Sequence, residues 1–136
     1  MNKKVYIVDD DESVISALKN LLSSEDYLIE AFTSPAEFMN LQSYSLPSCL
    51  IVDLNMPGFD GFEVASALNE RGFSIPTIFL TGHGTIPVSV KAMKAGAFEF
   101  LTKPVLPDDL MNSVSDALSV SEKNAVQSQE KQTLTT

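Results

Sequence analysis

Two rhythms of apolar and polar positions alternate along this chain. Val5-Tyr6-Ile7-Val8, Tyr27 to Phe32, Cys49-Leu50-Ile51-Val52, Pro76 to Leu80 and Phe98 to Thr102 are short runs rich in β-branched and aromatic residues. Runs of this length predict strands, and near-continuous apolar ones predict strands buried on both faces of a parallel sheet. Between them, apolar residues recur at helical spacing: Val14, Ile15, Leu18, Leu21 and Leu22, then Phe62, Val64, Ala65 and Leu68, then Leu110, Met111, Val114 and Leu118. Those stripes predict amphipathic helices with one face on the sheet.

Local punctuation fits the same boundaries. Ser34-Pro35-Ala36-Glu37 has the form of a capping box with proline at the first helical position, opening a helix through about Leu41. Asn55 to Gly61 is rich in proline and glycine and predicts a loop. Gly96 predicts the end of the helix that carries Val90, Met93 and Lys94. Pro107-Asp108-Asp109 puts acid in a first helical turn, where the dipole favours it. Phe98 and Phe100, two positions apart, are expected on one strand face.

Five strand–helix units with short connections require an α/β fold: a doubly wound five-stranded parallel sheet with right-handed crossovers and five helices on its two faces. After about Ser121 the composition turns to Gln, Ser, Thr and Lys, which predicts a solvated linker or a frayed helix extension. The units show no fixed-period repeat.

Composition narrows the function. The 136 residues, 44% hydrophobic and 20% charged, suit one globular domain. A net charge of −9 argues against this segment gripping nucleic acid or an anionic membrane and favours a cation or a basic partner. Cys49 stands alone, so there is no disulfide framework. No run is long enough to span a membrane, and the first strand starts too early to leave room for a signal peptide. A cytoplasmic protein is the expectation.

The strand ends carry the chemistry. The first run ends in Asp9-Asp10-Asp11, the third in Asp53, the fourth in Thr81-Gly82-His83-Gly84 and the last in Lys103-Pro104. In open α/β sheets ligands bind beyond the carboxyl ends of the strands, so these residues should share one crevice. Two carboxylates 5 Å apart repel by roughly 3 kcal/mol at an effective dielectric near 20. Asp9, Asp10 and Asp53 therefore need a cation, a proton or a lysine, and Lys103 offsets only one charge. An all-oxygen set with one His and one Cys far apart favours Mg²⁺ over Zn²⁺. The parts fit phosphoryl transfer: Asp53 as nucleophile, Asp9 and Asp10 on the metal, Lys103 and Thr81 toward the transferring group, and a cis Lys103–Pro104 bond orienting the lysine.

Taken singly, Asp9-Asp10-Asp11 reads as a turn or helix cap, Asp11 as the cap itself, His83 as a loop residue near the crevice and Cys49 as buried and inert. The stretches Val8-Asp9-Asp10-Asp11-Glu12, Asp53-Leu54-Asn55-Met56-Pro57-Gly58-Phe59-Asp60-Gly61, Thr81-Gly82-His83-Gly84 and Lys103-Pro104, in this order and spacing, are far more specific. Together they resemble the receiver domain of two-component response regulators, over residues 3 to about 121. The resemblance implies a flavodoxin-like strand order 2-1-3-4-5 and a phosphoryl group accepted on Asp53 from a sensor histidine kinase. It implies Mg²⁺ held by Asp9, Asp10, Asp53 and the backbone carbonyl of Asn55, with Thr81 and Lys103 on the phosphoryl oxygens. Thr81 and Phe100 become the switch pair, Phe100 turning inward as Thr81 moves. Thr81-Gly82-His83-Gly84 and Met93-Lys94-Ala95-Gly96-Ala97 resemble the FixJ-type branch, which implies a homodimer through the fourth helix and fifth strand and a C-terminal helix-turn-helix that binds DNA.

On this reading residues 1–121 are the receiver and 122–136 a linker toward an absent output domain, since Thr133-Leu134-Thr135-Thr136 resembles the stretch at which that domain begins. A single-domain regulator acting by protein contact is the alternative. A haloacid-dehalogenase-like phosphatase needs a second acid two residues after the nucleophile, where this chain has Asn55. A flavodoxin-like cofactor binder needs phosphate-binding Ser, Thr or Gly after the first strand, where it has aspartates.

Overall fold

A computed structural model describes residues 3–56, 59–82 and 86–135. Strands β1 (Lys4–Val8), β2 (Leu28–Phe32) and β3 (Ser48–Asp53) alternate with helices α1 (Glu12–Leu22) and α2 (Pro35–Met39). A two-residue pair, β4 (Asn55–Met56) and β5 (Phe59–Asp60), precedes α3 (Gly61–Glu70). Strand β6 (Thr77–Thr81), helix α4 (Ile86–Lys94), strand β7 (Glu99–Thr102) and helix α5 (Pro107–Thr135) complete the order. The five-stranded sheet runs β2-β1-β3-β6-β7 with every pairing parallel. This is the 2-1-3-4-5 order, with β6 and β7 as the predicted fourth and fifth strands.

Side-chain alternation splits the core into two layers. Tyr6, Val8, Leu50, Val52 and Phe79 face Phe38 of α2, Val64 and Leu68 of α3, and Ala92 of α4. Val5, Ile7, Ile51, Ile78 and Leu80 face Ile15, Leu18 and Leu22 of α1 and Leu110, Val114 and Leu118 of α5. Each fully buried Leu, Ile or Phe contributes about 1.5–3 kcal/mol. Cys49 lies in the second layer, fully buried and free, and burial pushes its thiol up to about 12.

Helix ends follow residue chemistry. Asp11 caps α1, its carboxylate accepting from the Ser13 N–H at 2.9 Å and the Ser13 hydroxyl at 2.6 Å. Gly96, at φ +84°, ends α4 with Ala97 N–H donating to the Ala92 carbonyl and Gly96 N–H to that of Met93, the paired bonds of a glycine-terminated helix.

Three expectations need correction. The Ser34 side chain makes no capping hydrogen bond, so proline at the first position, not a capping box, marks the start of α2. The Asn55–Gly61 stretch contains the β4–β5 antiparallel pair, because Asn55 pairs with Asp60 and Met56 with Phe59. Phe98 and Phe100 pack into opposite layers, since the regular strand begins only at Glu99. Past the composition change near Ser121, α5 continues to Thr135, the helix extension of the two forms expected there. The expectations for Pro57, Gly58, His83, Gly84 and Thr136 lie outside the described residues.

Candidate functional site

Ladder bonds continue past the central strands and fix the residues that follow them. The Asp9 N–H donates to the Phe32 carbonyl at 3.1 Å, that of Leu54 to Leu80 at 2.9 Å, and that of Lys103 to Thr81 at 2.8 Å. Asp9, Asp53, Thr81 and Lys103 are therefore held at one sheet edge by backbone geometry. The Lys103–Pro104 peptide bond is cis, as is Leu46–Pro47.

Asp9 and Asp53 are buried at 1% and 5% exposure, while Asp10 is exposed. One carboxylate oxygen from each of the three lies within 4.8 Å of the others. Lys103 reaches into the cluster, its Nζ 3.3 Å from Asp9 Oδ2 and 3.6 Å from Asp53 Oδ2. Burial holds the Asp9 carboxyl above its usual range, with the Asp53 charge adding to the effect; the Asp11 N–H and Lys103 oppose it. Asp11 stands apart, and its bonds to Ser13 lower its carboxyl.

Thr81 is buried at the end of β6, and its Oγ1 accepts a hydrogen bond from Asn55 Nδ2 at 3.3 Å. The Asn55 N–H donates to Asp53 Oδ1, also at 3.3 Å. Gly61 seals the other side: a Cβ there would lie 2.9 Å from the Asp53 carbonyl oxygen and 3.2 Å from Leu54 Cα. Phe100 is half-buried, paired in register with Phe79, and lines a cavity of about 230 Å³ with Pro104 and Leu106.

Three carboxylates against one ammonium leave an excess of negative charge in a partly buried, all-oxygen site. That donor chemistry fits Mg²⁺, which binds through one or two carboxylates and keeps several waters. Among the described residues this is the one group of three or more His, Cys, Asp and Glu side chains placed to hold a metal ion.

Sequence reasoning gathers Asp9, Asp10, Asp53, Thr81 and Lys103 correctly at one edge but misses two features. The Asn55 side chain bonds to Thr81, a contact that neither the metal role implied for its backbone carbonyl nor its lack of a carboxylate signals. Gly61 is needed for its lack of a side chain, which a glycine directly before a helical stripe could have signalled.

The response regulator receiver domain model matches residues 5–115. The response regulator protein TodT of Pseudomonas putida F1 is 43% identical over 116 residues, covering 85% of this chain and 51% of that protein. The transcriptional regulatory protein TdiR of Thauera aromatica is 36% identical over 128 residues, covering 94% and 56%. The chain thus spans about half the length of these curated relatives. Among solved structures, FixJ-N superposes with a TM-score of 0.79 at 32% identity, covering 88% of this chain and 95% of that one. A site built on the carboxyl ends of β1, β3, β6 and β7, on a matching sheet, places this chain in the response regulator receiver domain family.

Proposed function

We propose that this domain is a phosphorylation switch in which Asp53 accepts a phosphoryl group from the phosphohistidine of a sensor histidine kinase. The observation that carries the reading is the Lys103 ammonium set 3.3 Å from Asp9 and 3.6 Å from Asp53 inside a three-carboxylate cluster. An Asp53 carboxylate oxygen attacks phosphorus, the P–N bond breaks, and the leaving imidazole keeps the electron pair and takes a proton. Acetyl phosphate reacts similarly with loss of acetate. Asp9, Asp10, Asp53 and the Asn55 carbonyl would hold Mg²⁺, which when bound neutralises and orients the phosphoryl oxygens. Lys103 offsets the charge that builds on those oxygens, and the Thr81 hydroxyl donates to one of them. Asn55 supplies no carboxylate to activate water, which favours a phosphoacceptor over a turning-over phosphatase.

The acyl phosphate adds charge and acceptor oxygens, and its contacts with Thr81 and Lys103 bias an existing equilibrium. Phe100 then turns inward and the surface of α4 and β7 changes. Val90 and Met93, 45% and 62% exposed on α4, support that face as a homodimer contact. Residues 1–121 form the receiver and 122–136 a linker toward an output domain, through which DNA binding and control of transcription would follow. No described helix is long and apolar enough to cross a membrane, which suits the cytoplasmic setting proposed.

Intact mass after incubation with acetyl phosphate and Mg²⁺ tests this. The unaltered domain should gain about 80 Da, the mass of one phosphoryl group, and Asp53→Asn should not. A retained adduct on Asp53→Asn contradicts the assignment.

A further inference from the structure

We propose that the Asn55 side chain is a positioning residue: it holds the Thr81 hydroxyl in its unphosphorylated place and so sets how readily the switch tips. The inference rests on Asp53 being the phosphoacceptor. Asn55 touches both ends of the switch, its N–H donating to Asp53 Oδ1 and its Nδ2 to Thr81 Oγ1. It stands on a firm support. Asn55 pairs with Asp60, Asp60 Oδ1 accepts from the Glu63 N–H at 2.8 Å to cap α3, and the Gly61 N–H donates to the Leu54 carbonyl.

The bond to Thr81 is 3.3 Å long, near the outer limit for N–H···O. A small movement of Thr81 toward a phosphoryl group would break it. Asn55 itself is exposed, so water takes up its freed amide, and the bond contributes only its modest net value to the resting state. A hydrogen bond of that strength shifts an equilibrium by about 2- to 10-fold. The bond therefore fixes where the Thr81 oxygen sits until the phosphoryl group arrives to accept the hydroxyl's hydrogen bond. Phosphorylation also turns Asp53 Oδ1 from a carboxylate oxygen into part of an acyl phosphate, which weakens the other half of the bracket.

Two measurements test it. In the unphosphorylated protein, a cycle of Asn55→Ala, Thr81→Val and the double variant, read by urea unfolding, should show a coupling of about 2- to 10-fold in the unfolding constant; strict additivity overturns the contact. Next, Phe100 ring resonances are followed during acetyl phosphate and Mg²⁺ treatment, with the phosphorylated fraction taken from intact mass. At equal phosphorylation, Asn55→Ala should populate the phosphorylated-state ring position more than the unaltered domain. Asn55→Gln, which keeps an amide, should fall between them. Identical curves for all three overturn the positioning role. A Phe100 ring that ignores phosphorylation in the unaltered domain, or an Asp53 that takes no phosphate, overturns the proposed switch instead, and the unfolding cycle still judges the contact.

Discussion

Lys103 and Asp9 lie 94 positions apart in sequence and meet at 3.3 Å, Lys103 Nζ against Asp9 Oδ2. Backbone bonds from Asp9 to Phe32 and from Lys103 to Thr81 set that meeting before either side chain contributes. The lysine is shared with Asp53, so its one charge is divided between two buried carboxylates.

Removing that charge should expose the excess. Lys103→Met keeps the stem and leaves Asp9 and Asp53 facing each other without compensation. The buried-pair penalty, reduced because the lysine side chain is 26% exposed, gives a loss of about 1–3 kcal/mol in magnesium-free buffer at neutral pH. Urea unfolding measures it, and added Mg²⁺ should recover part of the loss.

Asp9 should show the opposite sign. Its carboxyl is raised in the folded state, mainly by burial, so the folded protein binds this proton more tightly than the unfolded chain does. The favourable contribution is complete below the unfolded carboxylate range and is lost as pH rises through the folded value. Without divalent ions, Asp9→Asn should therefore be more stable than the unaltered domain at neutral pH. The advantage should vanish near pH 3. Unfolding midpoints at the two pH values check it, and a neutral-pH loss in Asp9→Asn contradicts it.

Gly61→Ala tests the packing behind the phosphoacceptor. The new Cβ would lie 2.9 Å from the Asp53 carbonyl oxygen, a backbone atom that no side-chain rotation can move away. A loss of about 1–3 kcal/mol is expected, along with slower acetyl phosphate uptake as Asp53 shifts. A variant of unchanged stability and uptake would show that the strand end yields freely.

These sites differ in how legible they were. Val8-Asp9 and Val52-Asp53 could be placed at one edge from sequence because an apolar run that stops at a charge marks where a buried strand ends. Asn55 and Thr81 could not be paired that way: their contact depends on how the β4–β5 pair closes, and proline and glycine identify a bend without giving its hydrogen bonds. Phe98 packs on the face opposite Phe100 because period-two alternation holds only from the strand's first residue, Glu99, and a one-residue shift reverses the side. Ser34 has the composition of a cap, but whether its hydroxyl turns to the helix is decided by χ1.

Cys49 should be silent in the folded state. It is fully buried and its thiol is pushed up to about 12, so thiolate is scarce and reagent access requires opening of β3. Alkylation at pH 8 should be roughly a hundredfold or more slower than in concentrated urea, a conservative reading of that protection. Equal rates with and without urea would place the residue at the surface.

Phosphorylation should select one carboxylate among several at the same edge. Treatment with acetyl phosphate and Mg²⁺, followed by borohydride reduction and peptide mapping, converts an acyl-phosphorylated aspartate to homoserine. Conversion at Asp53, with Asp9, Asp10 and Asp11 intact, is the predicted result. Homoserine at any of those three, with Asp53 unchanged, would contradict Asp53 as the phosphoacceptor.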